Sequence, residues 1–265
     1  MQILEHFAQA KGDEKQMEDL VAFTPDYIAV FDGATPKTAI ALPNGLSPGQ
    51  YVADTLAKAI SQLAPDMTCE NAVTLLSARI TPGIGEASGI IYSSARREIW
   101  SVGDCQCAMI REDGTLSNFQ DRKLIDEILS QWRADIIRSM LSRGICTPTD
   151  IQQQDSGRKI IQPFITRQVR YQNLPQEHRL AFGVFDGKPI PERFIRIIPV
   201  PEDVREIILA SDGYPQLAPT LQETEILLQQ LLQQDPLCIG PLAGTKGIKA
   251  GNASFDDRTY VRFLI

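Results

Sequence analysis

Five acidic residues stand where apolar, strand-like segments of this chain begin or end: Glu18, Asp32, Asp104, Asp212 and Asp256. Carboxylates gathered at the ends of sheets repel one another unless cations bind among them. A cluster that is rich in carboxylates and poor in histidine favours Mg²⁺ or Mn²⁺ over zinc. Two such ions can activate a water molecule and stabilise a phosphoryl group under attack. The chemistry that this pattern indicates is hydrolysis of a phosphate ester.

The stretch YIAVFDGAT at 27–35 is the centre of this pattern. Ile28 to Phe31 is typical of a short buried strand, which we predict to stop at Asp32-Gly33. The aspartate then presents a carboxylate at the sheet edge, and the glycine permits a bend that turns its carbonyl toward the same point. An isolated Asp-Gly is commonly an ordinary turn, and we interpret a second VFDG at 184–187 as a hairpin turn.

The composition limits the classes of function. The 265 residues include 26 Lys and Arg against 33 Asp and Glu, for a formal net charge of -7, which argues against a nucleic-acid partner. The cysteines have no paired-ligand spacing and His6 and His178 are the only histidines, so reduced, mostly buried thiols are expected instead of a zinc site. We find no segment with the length of a membrane span and no signal-peptide pattern, and therefore expect a cytoplasmic protein that does not bind membranes.

Hydrophobic periodicity predicts a single α+β domain, residues 1–265, with antiparallel sheets covered by helices. Strands are predicted at 3–10, 20–23, 28–31, 180–186, 193–200, 206–210 and 258–265, with a β-meander at 87–119. Helices are predicted at 48–64, 70–80, 123–143 and after Pro219-Thr220, the first of them capped by Ser47-Pro48. Residues 147–159 and 240–253 are predicted to be loops, while 160–171 fits a helix or a strand.

The acidic motifs also carry a resemblance. Glu18-Asp19, VFDG at 30–33, VGD at 102–104, LASDG at 209–213 and FDDRT at 255–259 follow one another in this order. Their order and spacing resemble those of the metal-dependent serine/threonine protein phosphatases of the 2C type, over nearly the whole chain. The resemblance implies a four-layer αββα sandwich, two packed antiparallel β-sheets flanked by helices, with metals in a cleft at one sheet end. It also implies that a metal-bridging hydroxide attacks the phosphorus of a phosphoprotein or a smaller phosphoester.

The resemblance assigns roles to particular residues. Asp32 would bridge two Mn²⁺ or Mg²⁺ ions, and the Gly33 carbonyl would join one of them. Asp212 and Asp256 would ligate the first ion. With Asp32, these two make up the implied catalytic set.

The remaining acids would complete the implied metal site. Glu18 would help to hold the second ion, directly or through water, and Asp19 would orient waters behind it. Asp104 would take part in a weaker site for a third ion.

Several positions differ from the family pattern. After Asp32-Gly33 the family commonly has a histidine, and this chain has Ala-Thr-Pro at 34–36. Glu14 stands where the family usually has a phosphate-binding arginine, so that Lys15, Lys37 or a main-chain site would have to bind phosphate. The last motif has Asp257 in place of an asparagine. Metal ligands are therefore better matched than substrate-binding groups.

Two other functions compete with a phosphatase. The missing arginine and histidine favour a catalytically weak or inactive phosphatase-like domain that binds metal or a protein partner and regulates it. The Asp-Gly-x-Thr sequence at Asp32 also fits an aspartyl-phosphate hydrolase of the haloacid dehalogenase type, although that family places an aspartate where this chain has Ala34.

Overall fold

The computed structural model describes residues 1–13, 17–36, 42 and 45–265. Within those ranges the chain forms two five-stranded antiparallel sheets flanked by helices. The strands are β1 (Gln2–Gln9), β2 (Asp19–Phe23), β3 (Tyr27–Ala34), β4 (Glu86–Ser93), β5 (Glu98–Val102), β6 (Gln106–Arg111), β7 (Leu116–Gln120), β8 (Arg196–Pro199), β9 (Val204–Ala210) and β10 (Arg258–Leu264). The helices are α1 (Pro48–Ile60), α2 (Cys69–Ser77), α3 (Leu124–Ser142), α4 (Pro148–Gln153), α5 (Ser156–Arg167) and α6 (Leu221–Gln234).

The two sheets pack face to face, and each is covered by helices on its outer face. The first sheet has the order β1-β10-β9-β6-β7 and the second has β2-β3-β4-β5-β8. Alternation along β3 sends Ile28 and Val30 into the core between the sheets and Ala29 and Phe31 toward α1 and α2. Helix α6 covers the first sheet through residues such as Leu228. The predicted αββα sandwich is confirmed.

The helix starts follow the capping residues seen in the sequence. Ser47 caps α1 and forms a capping box with Gln50, with Pro48 in the first turn. Thr220 caps α6, its hydroxyl accepting from the Glu223 amide. These local signals explain why the starts of α1 and α6 were predictable.

The predicted β-meander at 87–119 is wrong in its topology. β4 and β5 pair in the second sheet, whereas β6 and β7 pair in the first. The chain crosses between the sheets at Gly103-Asp104, where Gly103 has a φ of 91° that favours glycine. Asp104 therefore lies between the two sheets and not in a surface hairpin.

The region from 147 to 171 is helical, and the predicted loop at 147–159 is wrong. Thr147 and Asp155 act as N-caps for α4 and α5, with the Thr147 hydroxyl accepting from the Asp150 amide. Residues 160–171 complete α5 and continue as a 3₁₀ helix at Gln168–Tyr171. The polar composition concealed these helices because only Ile151, Gly157 and Ile161 are buried.

Three shorter predictions also need correction. Residues 180–186 form no strand, only isolated bridges such as Ala87 to Phe185, and 193–200 contains the four-residue β8. The second VFDG is a bend and not a hairpin, in which Asn173 and Lys188 donate to Asp186. No helix within the described ranges combines the length and the apolar character that crossing a bilayer requires.

Candidate metal centre

Three aspartates from separate parts of the chain converge at one end of the core between the sheets. Asp32 lies in β3, Asp104 follows β5, and Asp212 follows β9. One carboxylate oxygen from each lies within 4.8 Å of the other two. We call these three residues the acidic cluster. The three aspartates converge because β3, β5 and β9 end on the same side of the two packed sheets. The positions of the acids at strand ends in the sequence predicted this.

The acidic cluster is electrostatically unfavourable without a cation. Burial raises the pKa of Asp32 well above its usual range, and Asp19, Asp256 and Asp104 raise it further. Burial likewise raises the pKa of Asp212, with added repulsion from Asp32, Asp256 and Asp104. A bound dication would relieve both the desolvation and the repulsion of these carboxylates.

Asp19 stands directly behind the cluster. It lies opposite Asp32 in the β2–β3 ladder and is only 3% exposed. Burial raises its pKa to about 7, although a hydrogen bond from Ser211 opposes the shift. Its Oδ2 has no hydrogen-bond partner among the described residues. A buried carboxylate oxygen without a partner is unfavourable, and it is an acceptor that a metal-bound water would satisfy.

Asp104 is held on two sides. The Ser88 hydroxyl donates to its Oδ1 at 2.5 Å, and the Lys123 ammonium lies 3.0 Å from its Oδ2. A Cβ at Gly103 would lie 2.3 Å from the Ser88 hydroxyl, so only glycine allows this close approach. The carboxylate is held in this way with one of its oxygens within 4.8 Å of carboxylate oxygens of Asp32 and Asp212.

Lys123 is a member of the site that sequence reasoning missed. It immediately precedes α3, and its side chain is 16% exposed. Burial tends to lower its pKa, but Asp104, Asp126 and Glu86 outweigh burial and raise it, so the ammonium stays charged. Neither its spacing nor its neighbours in the sequence distinguishes it from a surface lysine at the start of a helix.

Asp256 lines the same cleft but lies outside the acidic cluster. Its Oδ1 is 3.1 Å from the Lys11 ammonium, and its Oδ2 contacts the Lys246 ammonium. Burial tends to raise its pKa, but Lys246 and Lys11 reverse this and lower it to about 2. The resemblance implied that Asp256 ligates a metal ion. The structure shows that its carboxylate is paired with two lysines.

Asp257 has a structural role that the sequence did not reveal. It is 3% exposed and accepts from the Lys11 amide at 2.9 Å and from the Glu18 amide at 3.0 Å. The carbonyl of Asp257 also packs on Gly213, where a Cβ would lie 2.0 Å away. Asp257 therefore ties the last motif to both the first motif and the Asp212 turn.

Glu18 and Gly33 meet the start of α1. Glu18 accepts from the hydroxyls of Thr35 and Ser47, the latter at 2.5 Å. Gly33 does not bend the chain, since β3 continues to Ala34, and its amide donates to the Glu18 carbonyl at 3.2 Å. Its glycine is needed for a different reason: a Cβ would lie 2.3 Å from the Gly49 carbonyl. The role of the Gly33 carbonyl as a metal ligand stays a prediction.

These residues surround a cleft of about 680 Å³, and the acidic cluster, Glu18, Gly33 and Asp256 all line it. The donor set consists of hard carboxylate oxygens, which suits Mg²⁺ or Mn²⁺. The mutual repulsion in the cluster and the unpartnered Asp19 oxygen both fit a divalent cation there. Glu14, Lys15 and Lys37, which the sequence placed at the phosphate site, lie outside the described residues.

Solved structures with a similar arrangement of sheets and helices include serine and serine/threonine phosphatases. Stp1 from Staphylococcus aureus is 11% identical, with 98% of this chain and 94% of that chain covered and a TM-score of 0.51. A bacterial serine phosphatase is 12% identical, with coverage of 98% and 96% and a TM-score of 0.50. The catalytic domain of PstP, solved with two manganese ions, is 13% identical over 100% of both chains, with a TM-score of 0.48.

At these identities the comparison establishes the fold. The chain is similar to these phosphatases in architecture over almost its full length, and the resemblance predicted from the acidic motifs is confirmed at that level. The sequence matches no protein-family model and no curated protein.

Proposed function

We propose that this chain, which has the fold of the metal-dependent serine/threonine phosphatases, is an Mn²⁺- or Mg²⁺-dependent hydrolase of phosphate monoesters. Phosphoserine and phosphothreonine in proteins are the proposed substrates. The observation that carries this proposal is the convergence of Asp32, Asp104 and Asp212 within 4.8 Å in a cleft open to solvent. A stabilising ion pair in the core would not require two neighbouring carboxylates, Asp32 and Asp212, whose pKa values burial raises.

The acidic residues of the cleft would bind the metal ions and the water molecules on them. Asp32, Asp104 and Asp212 would hold the divalent ions, and Asp19 would orient water through its unpartnered oxygen. Such ions, when bound, supply an activated water and neutralise charge on the phosphoryl group. Glu18, fixed by Thr35 and Ser47, would hold a further metal-bound water or ion.

The lysines of the cleft favour an anionic substrate. Lys11, Lys123 and Lys246 all line it, and each contacts a carboxylate of the site. When metal ions neutralise those carboxylates, the ammonium groups become available to attract a phosphate dianion. We propose that they provide the positive charge that the family obtains from an arginine.

The first experiment is hydrolysis of p-nitrophenyl phosphate with and without Mn²⁺. We expect activity that requires the ion and falls at least about a hundredfold in Asp32→Asn and Asp212→Asn, because each loses a charged ligand. Asp113→Asn is the matched control, since Asp113-Gly114 is an Asp-Gly in an exposed turn away from the cleft. Equal activity in Asp32→Asn and the wild type would contradict the proposal.

A second candidate is the regulatory, weakly active or inactive phosphatase-like domain. Lys11 and Lys246 favour this second candidate, because both form salt bridges with Asp256, a carboxylate to which the resemblance assigns metal binding. It predicts Mn²⁺ binding by calorimetry without turnover of p-nitrophenyl phosphate or of phosphopeptides. Turnover that tracks Mn²⁺ occupancy would exclude it.

A further inference from the structure

Asp256 differs from Asp32 and Asp212 in having lysine side chains as partners. Lys11 and Lys246 contact its two oxygens, one each, and Lys11 also lies 3.2 Å from Asp257. By contrast, no salt bridge joins Asp32 or Asp212 to any lysine or arginine in the described part of the chain. The charge of Asp256 is thus already balanced by lysines in the metal-free protein, whereas Asp32 and Asp212 have no such partner among the described residues.

Lys246 belongs to a segment, residues 237–247, that is firmly anchored although it has no helix or strand. We call it the Lys246 loop. Arg133, which is fully buried, donates to the carbonyls of Leu237, Cys238 and Gly244 at 3.0, 2.8 and 3.2 Å. A buried arginine with this many acceptors fixes the path of the loop.

Both neighbours of Lys246 are fixed as well. The guanidinium of Arg158 donates to the Thr245 carbonyl at 2.6 Å, and the Gly247 amide donates to Asp155 at 3.3 Å. Asp155 in turn accepts from Arg133 at 2.8 Å. Because the backbone on each side is held, the direction of the Lys246 side chain toward Asp256 is set by the fold and not by a mobile surface loop.

We propose that Lys246 is a built-in counterion that a divalent cation must displace from Asp256, so that Lys246 sets the affinity of the Asp256-dependent ion. This inference rests on the proposed metal site and on Asp256 as the further metal ligand that the resemblance implies. In the metal-free protein the lysine stabilises Asp256, and an entering ion has to compete with that interaction and with the repulsion between the ammonium and the ion. The ions at the acidic cluster meet no such competitor at Asp32 and Asp212.

The test is calorimetric titration of the metal-free protein with MnCl₂. Lys246→Met keeps the length of the side chain and removes its charge. We expect it to bind the Asp256-dependent ion at least about tenfold more tightly than the wild type. That ion is identified as the one lost in Asp256→Asn. Lys249→Met is the matched control, because Lys249 is exposed, lies two residues beyond the Lys246 loop and has no salt bridge with Asp256.

The outcomes separate the inference from the proposed function. If the wild type binds Mn²⁺, and Lys246→Met and Lys249→Met both bind it with the affinity of the wild type, the inference is wrong and the metal site stands. If no protein binds Mn²⁺, the metal site and the inference are both wrong. Thermal melting without metal confirms that Lys246→Met is folded, and Lys11→Met, which removes the other partner of Asp256, should tighten binding in the same direction.

Discussion

The carboxylates of the cleft have no imidazole nearby. His6 packs against Phe23 and His178 stacks on Tyr171, and neither lines the cleft. In the proposed hydrolysis of a phosphate monoester, no histidine is placed to protonate the departing alcohol. The rate should therefore depend strongly on the leaving group.

A series of aryl and alkyl phosphates measures this dependence. We expect kcat/KM to fall by at least about tenfold between p-nitrophenyl phosphate and phenyl phosphate, because only the first gives a stable anion without a general acid. Equal values would show that another group, such as the Lys123 ammonium, supplies the proton. Mn²⁺ should be saturating throughout, so that metal occupancy does not vary along the series.

At the scale of single residues, the sequence predicted the acids that meet but not their partners. Asp32, Asp104 and Asp212 could be found because each stands where an apolar strand ends, which is a local pattern. Lys11 and Lys246 reach Asp256 from opposite ends of the chain, and no local pattern records such a contact. For the same reason Asp257, whose carboxylate accepts from the distant Lys11 and Glu18 amides, received no role.

At the scale of elements, we can test the hydrogen bonds that join Arg133 in α3 to the Lys246 loop. Arg133→Met should remove the hydrogen bonds to three loop carbonyls and leave Asp155 with one partner fewer. We expect a loss of about 3–5 kcal/mol in the free energy of unfolding, as for other buried charged groups that lose a partner. Chemical denaturation measures it.

The matched control is Arg143→Met, at the exposed C-terminal end of the same helix, which should change the free energy of unfolding by less than about 0.5 kcal/mol. Hydrogen exchange adds a local readout, since amides of residues 237–247 should exchange faster in Arg133→Met than in the control. Equal protection in the two variants would contradict the anchoring role of Arg133.

Elements with strong local signals were predictable, and those fixed by tertiary contacts were not. α1 and α6 have clear caps and apolar stripes. The helices at 148–167 have polar surfaces, and β4 to β7 look like one meander because the crossing between sheets changes no local pattern. Gly33 was correctly selected as special, but for a bend and not for the close approach of Gly49, which only the packed structure reveals.

For the whole molecule, the shifted pKa values of the acids in the cleft allow us to predict how the free energy of unfolding depends on pH in the absence of metal. The pKa of Asp19 is raised to about 7, and those of Asp32 and Asp212 are raised well above their usual range. These groups bind protons more tightly in the folded state than in the unfolded state. The folded protein therefore loses stability as pH rises from the unfolded pKa, about 4, through the folded values.

Urea denaturation in EDTA at about pH 5 and about pH 7.5 tests this dependence. We expect lower stability at the higher pH, and an increase on adding Mn²⁺ that is larger at the higher pH, where the carboxylates are ionised. Asp256 acts in the opposite sense. Because its pKa is lowered to about 2, its contribution is present above about pH 4 and is lost as pH falls toward 2. Stability that rises from pH 5 to pH 7.5 without metal would contradict the burial of these acids.

The architecture of the whole chain was predicted from five short motifs that resemble those of the 2C-type phosphatases. The comparison with solved phosphatases confirms this prediction at the level of the fold. The single-domain organisation over 1–265 and the cytoplasmic location stay predictions, as does a substrate of phosphoprotein type. Sequence patterns report on local structure and on shared ancestry, whereas substrate choice depends on the shape and charge of the cleft.

An anomalous difference map from a crystal soaked in Mn²⁺ tests the proposed metal centre most directly. We expect a peak bonded to carboxylate oxygens of Asp32, Asp104 and Asp212, at the roughly 2 Å distances of oxygen-ligated divalent ions. A map with full occupancy at other sites and no peak among these three aspartates would contradict it.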